Sequence, residues 1–209
     1  MERVDATGRI TVLHDRAVEG IVRRCYSDVE VRGRDGQPGR GFTNLKRIFG
    51  WPAELRVVID ALAATVGDAR AVASADSGSA PLVALIAYKL GLPGVFVRTD
   101  PKSYFLSYGG DPATTHPRLS GERLVDDTPV HVIDDFVHSG ATLASAVETL
   151  REAGLVVQYA SSLLSSPPEG IAGVIETIDI QLTVLVLTTA AHGGDSADDS
   201  ADRVRVTKK

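Results

Sequence analysis

The chain has 209 residues, 44% hydrophobic and 23% charged, with a formal net charge of −5. That length is enough for one domain with a sizeable core. The mild acidity gives no general case for nucleic acid or anionic membrane as partner, and a single cysteine, Cys25, excludes an intrachain disulfide and a thiolate metal cluster. The opening "MERVDATGRI" lacks an apolar leader core, and no run approaches the roughly 18 apolar residues that span a bilayer. The expectation is a cytoplasmic protein.

In chain order, residues 11–27 predict a helix, with Leu13, Ala17, Ile21 and Val22 on one side. "VEVRGRDGQPGRGF" reads as a loop or a hairpin with a mobile tip. "WPAELRVVIDALAATVG" predicts a helix, opened by Pro52 and ended by Gly67. "ARAVASA" is a short strand running into "DSGSAP", "PLVALIAYKLG" a helix closed by Gly91, and "GVFVR" (94–98) a strand. Residues 99–122 show no period and form a long loop or hide a hairpin around "PRLSGERL". "PVHVI" is the next strand, "TLASAVETLREAG" a helix, and "VVQYASSLL" and "LTVLVLTT" (182–189) the last strands. Residues 191–209 predict a disordered tail. The alternation over 69–164 argues for an α/β fold with a parallel sheet, which binds ligands at the carboxyl ends of its strands.

The string "VHVIDDFVHSGATL" (130–143) holds the most chemistry. Its strand ends before Asp134 and Asp135, whose carboxylates can accept hydrogen bonds from vicinal hydroxyls or orient water around a divalent metal. In the turn that follows, Ser139 and Thr142 supply hydroxyls and Gly140 lets backbone N–H groups converge. The start of the next helix favours an anion there, and His138 adds charge when protonated. Two acids and an anion nest a few residues apart suit the two ends of a ribose 5-phosphate. His131, inside the strand, is expected to be a hydrogen-bonded core residue and not a ligand. The P-loop pattern GxxxxGK[ST] and the dinucleotide pattern GxGxxG are both absent.

This string resembles the phosphoribosyl-pyrophosphate (PRPP) motif of type I phosphoribosyltransferases: mostly apolar residues, two acids, three variable positions, then Ser/Thr-Gly-x-Thr. His131 is the main departure. The order and spacing of "GFTNLKRIFGWPAEL", "ASADSGSAPLVALIAYKLGLPGVFVRTDPKSY" and "SGERLVDDTPVHVIDD" extend the resemblance over about residues 28–190, nearest to the orotate branch of pyrimidine metabolism. It implies a type I phosphoribosyltransferase-like α/β fold, one domain over 1–190 with a small N-terminal hood, and a likeness to enzymes that move phosphoribosyl from PRPP to a nucleobase with Mg²⁺. It also implies a homodimer. Asp134 and Asp135 would contact the ribose hydroxyls and, through water, the metal. His138, Ser139, Gly140, Ala141 and Thr142 would hold the 5-phosphate. Asp76, Ser77, Gly78, Arg98 and Lys102 would meet the pyrophosphate, and the loop near 103–117 would close over it.

The chain departs from the orotate pattern in three places. Thr99 stands where that branch has lysine. The loop "KSYFLSYGGDPATTH" has no lysine after Lys102, leaving His116 and Arg118 as the nearest basic replacements. "LLSSPPEG", with Ser165 and Ser166, replaces the Asp-Arg segment that recognises the orotate carboxylate, and serines cannot form a bidentate ion pair with it. The acceptor base is therefore left open, and a PRPP-binding sensor without turnover is the alternative.

Overall fold

The computed structural model describes residues 3–4, 7–32, 38–98, 116, 118–121 and 123–188. Lys102, most of the 99–117 loop and the 191–209 tail lie outside them.

The described strands are β1 (Arg3–Val4), β2 (Ile10–Val12), β3 (Tyr26–Arg32), β4 (Pro38–Thr43), β5 (Ala71–Ser74), β6 (Gly94–Val97), β7 (Leu119–Ser120), β8 (Pro129–Val137), β9 (Val156–Ser165) and β10 (Gln181–Leu187). The helices are α1 (Arg16–Cys25), α2 (Pro52–Ala63), α3 (Ala80–Leu90), α4 (Ala141–Glu152) and α5 (Pro168–Thr177), with a 3₁₀ helix over Leu45–Gly50. One sheet has the order β1-β2-β10-β9-β8-β5-β6-β7; β3 and β4 form a separate hairpin. Strands β2, β10, β9, β8, β5 and β6 pair in parallel, and β1 and β7 close the two edges antiparallel.

Both faces of the sheet are covered, which is why its inner strands read as apolar runs. On one face Leu143, Val147 and Leu150 of α4 and Ile171 and Ile175 of α5 pack against Val132, Ala160 and Val184. On the other, Val18 of α1, Ile48, Leu62 of α2 and Ile86 of α3 pack against Val72, Ile133 and Leu185. The helix between β5 and β6 lies on the second face and the helix between β8 and β9 on the first. Right-handed crossovers running in opposite directions from the β5–β8 pair require this split.

Several boundaries differ from those the periodicity predicts. Residues 11–12 belong to a strand, not to the first helix. β-branched Thr11 and Val12 pair with Thr183 and Val184. Asp15 then caps α1, its Oδ1 accepting from the N–H groups of Ala17 (2.9 Å) and Val18 (3.0 Å). Helix α2 stops at Ala63, and the chain tightens through Thr65 N–H to Leu62 O (3.0 Å) before Gly67 turns it. Helix α3 closes as expected at Gly91, which takes a left-handed φ of 66°. Helix α5 is not apparent from pattern alone, because "PPEG" looks like a turn. In the structure Pro168 begins the helix, and Ile171 and Ile175, four apart, face the sheet. The hairpin alternative holds over residues 26–43, where β3 pairs with β4, whereas the described part of "PRLSGERL" forms β7, which pairs with β6 and not within its own stretch.

His131 is only 2% exposed, and its Nε2 lies 3.0 Å from Ser161 Oγ. Burial pushes its pKa down from 6.5 to about 4. The unfolded chain therefore binds the extra proton more readily, and stability falls as pH drops from about 6.5 toward 4. We predict that the unfolding free energy declines by about 2 kcal/mol between pH 7 and pH 5 from this residue. Urea titrations of wild type and His131→Gln across that range measure it. An unchanged pH slope in the variant would remove His131 as the source.

Candidate functional site

The chain direction across the sheet reverses between β5 and β8. From β5 the next parallel strand, β6, lies on one side; from β8, strands β9 and β10 follow on the other. At such a switch point the loops leaving the two strands separate and open a crevice. The register places Ser74 beside Ile133, and Ala75 N–H donates to Ile133 O (3.0 Å). Continuing that register, Ala75 is level with Asp134, and Asp76 leaves β5 one residue further on.

The paired acids do not sit beyond the strand, as the sequence suggests. β8 runs on to Val137, with Asp134 paired to Ser162, Phe136 to Leu164 and Val137 to Ser165. Long β9 offers a partner that a single sequence does not reveal. Asp134 is 3% exposed and its Oδ1 accepts the N–H of Asp135 (2.9 Å), while Asp135 is half-buried. One carboxylate is thus fixed in the sheet and the next points the opposite way, as adjacent strand residues do.

After Val137 the chain turns into α4. Gly140 is the N-terminal cap residue, with φ 86° and ψ −6°, and no side chain caps the helix. A Cβ there would meet Val174 Cγ1 of α5 at 3.1 Å. Glycine is thus required twice, by backbone sign and by contact. Ala144 N–H closes the first helical bond, to Gly140 O (2.8 Å), and Ala141 N–H makes a long bond to Ser139 Oγ (3.4 Å). The start of α4 is thus an end of a helix dipole served by backbone amides, of the kind that takes a phosphate. Ser139 and Thr142 flank it, both half-buried. His138 is exposed and held aside, its Nδ1 2.8 Å from Ser166 Oγ and its ring 5.8 Å from that of Phe136.

The β5–α3 loop is closed on itself. Asp76 Oδ1 accepts from the N–H groups of Gly78 (2.7 Å) and Ser79 (3.0 Å), and Ser79 Oγ lies 3.3 Å from the same oxygen. The carboxylate fills the amide turn that an incoming anion would use, while Ser77 is exposed. We predict that Asp76→Ala lowers stability by about 1 kcal/mol, read from urea unfolding midpoints. No change would mean the turn holds without its acid.

The structure places the other expected residues less centrally. Arg98 follows β6; its N–H donates to Arg118 O (2.8 Å) and its carbonyl accepts Arg118 Nε (3.1 Å). Arg118 also donates from Nη2 to Ser145 Oγ (2.8 Å), and His116 Nε2 lies 3.7 Å from Glu152. His116 and Arg118 therefore tie the β6–β7 edge to α4. Ser165 is fully buried, its Oγ donating to Ser166 O (2.9 Å), so only Ser166 of that pair reaches toward the site.

Among the described residues no group of three or more His, Cys, Asp or Glu side chains could hold a metal ion. Mg²⁺ keeps several waters and takes one or two carboxylates beside substrate oxygens. Lying on opposite faces of β8, Asp134 and Asp135 would each supply one such carboxylate singly and not as a pair. Among the described residues, no helix is long and apolar enough to cross a membrane.

Fold and site together define a three-layer α/β protein with its candidate site at the switch point of a parallel sheet. Residues 44–168, more than half of the chain, match the model of the phosphoribosyl transferase domain. The orotate phosphoribosyltransferase of Methanopyrus kandleri is 26% identical over 163 residues, covering 77% of this chain and 81% of that one. The adenine phosphoribosyltransferase of Rhodococcus jostii is 33% identical over 126 residues, covering 56% and 70%. Two solved structures share the fold. They are orotate phosphoribosyltransferase from Aeropyrum pernix (TM-score 0.65, 22% identity, 82% of this chain and 92% of that one) and adenine phosphoribosyltransferase from Leishmania tarentolae (TM-score 0.66, 17%, 94% and 100%). The chain belongs to the phosphoribosyltransferase family, with the type I fold.

Proposed function

We propose that the protein transfers the 5-phosphoribosyl group of PRPP to a ring nitrogen of a nucleobase, releasing pyrophosphate. The observation that carries this reading is the pairing of two acids on β8 with a glycine-capped helix start six residues later, at the switch point. The α4 amides with Ser139 and Thr142 bind the 5-phosphate. Asp134 and Asp135 bind the ribose hydroxyls. As the C1–O bond to pyrophosphate weakens, positive charge grows on the sugar ring and the nearby carboxylates stabilise it electrostatically. Mg²⁺, held through water by the same acids, would supply charge neutralisation on the leaving group. Arg98 and Lys102 would add to that, and most of the remaining gain is positioning.

The experiment is a steady-state assay with PRPP, Mg²⁺ and a panel of bases, reading pyrophosphate. Release with at least one base is expected; none from folded protein would end the catalytic reading. One observation favours a second reading. Asp76 already occupies the amides of its own turn, as suits a protein that binds PRPP or a nucleotide without turnover. Calorimetric binding of PRPP without pyrophosphate release would select it.

A further inference from the structure

A shallow hollow lined by His14, Glu19, Val186 and Leu187 lies where β10 ends. The chain is lashed to that strand on both sides of His14: Leu13 N–H donates to Val184 O (2.9 Å) and Asp15 N–H to Leu185 O (3.1 Å). His14 itself turns in the left-handed region, with φ 51°. A histidine held in that conformation is strained, and strain of this kind gathers at ligand sites. Glu19 stands on the first turn of α1. One of its carboxylate oxygens takes Arg23 Nη2 at 2.6 Å, and that arginine is 63% exposed.

The position of this hollow follows from the direction of the reaction proposed above, on which the inference rests. At C1 the incoming nitrogen must approach from the side opposite the departing pyrophosphate. The loop after β5 and Arg98 after β6 lie on one side of β8, so the acceptor comes from the β9 and β10 side. β10 is two strand spacings from β8, about 10 Å, a distance suited to a base joined to a ribose held by Asp134 and Asp135. The hollow is on that side.

We infer that His14 and Glu19 form the acceptor-recognition edge of the site and select a neutral nucleobase bearing an exocyclic amino group over one bearing a carboxylate. Val186 and Leu187 give the ring an apolar floor. Glu19 accepts N–H donors from the base, and its charge repels a base carboxylate. Arg23 stabilises Glu19 from the solvent side and leaves its second oxygen for the base. The serines that replace the Asp-Arg segment point the same way, since Ser165 is buried on its own backbone and Ser166 holds His138.

Calorimetry of the full chain with adenosine 5′-monophosphate, orotidine 5′-monophosphate and PRPP tests this without requiring turnover. Wild type is expected to bind the adenine nucleotide at least tenfold tighter than the orotate nucleotide. Glu19→Gln should shrink that ratio at least fivefold and leave PRPP affinity unchanged, and His14→Asn, which tolerates the same backbone, should weaken the adenine nucleotide alone. Equal or reversed affinities, or a ratio that Glu19→Gln leaves intact, would overturn the inference while PRPP binding keeps the phosphoribosyl reading. Failure to bind PRPP and both nucleotides would remove that reading and this inference with it.

Discussion

The double variant Asp134→Asn/Asp135→Asn is expected to remain folded and to lose PRPP binding. The amide introduced at the first position would still offer a carbonyl oxygen to the next backbone N–H, the bond that Asp134 Oδ1 makes to Asp135 at 2.9 Å, so the strand keeps its local support. What disappears is charge. Hydrogen bonds to a charged group contribute about 1.5–3 kcal/mol each, and two such bonds to ribose hydroxyls amount to at least about 3 kcal/mol. That is on the order of a hundredfold in affinity or in kcat/KM. Calorimetry with PRPP gives the binding loss, and circular dichroism with thermal unfolding confirms the fold. Wild-type affinity in the double variant would show that these acids do not touch the sugar. The same substitutions separate structure from chemistry in a second way. Removing a buried carboxylate such as Asp134, only 3% exposed, relieves desolvation, so a stability gain accompanied by lost binding would mark an acid kept for its ligand.

Gly140→Ala should be the most damaging small change at the site. Alanine in a left-handed conformation costs about 1–2 kcal/mol. Its methyl group would also sit 3.1 Å from Val174 Cγ1, and overpacking of that kind typically costs about 1–3 kcal/mol. The sum, about 2–5 kcal/mol, corresponds to a Tm lower by roughly 5–15 °C for a chain of this size. Affinity for inorganic phosphate and PRPP should fall as well, because the turn that gathers the α4 amides moves. Adding Val174→Ala should recover the contact part of the stability and leave the conformational part. A Gly140→Ala protein with wild-type Tm and phosphate affinity would contradict the turn geometry and its role together.

The acids and the glycine stand in the sequence in the right order, and that order is enough to name the chemistry of the turn. Whether the acids sit after the strand or inside it depends on how far a neighbour supplies hydrogen bonds. β9 runs to Ser165 and carries β8 to Val137, a nonlocal fact. The same reason explains the first helix. A run such as Thr11-Val12-Leu13 is compatible with either period, and pairing with β10 decides it. Helix α5 was hidden because its glycines and prolines lower local helix preference, while burial of Ile171 and Ile175 on the sheet more than offsets this.

By itself the sequence determined what is local: apolar runs long enough for a covered parallel sheet, helices bounded by proline and glycine, and a string of acids, hydroxyls and glycine fit for a sugar phosphate. Only the tertiary structure decided which residues meet. It brought the loop that begins at Asp76 next to the acids of β8 at the switch point, tied Arg118 and His116 to the sheet edge and α4, closed the Asp76 carboxylate onto its own turn, and gathered His14 and Glu19 at the end of β10. The physical reason is the range of the forces. Propensity and turn chemistry act over a few residues, whereas strand pairing and burial join residues more than a hundred positions apart, as Val12 with Val184.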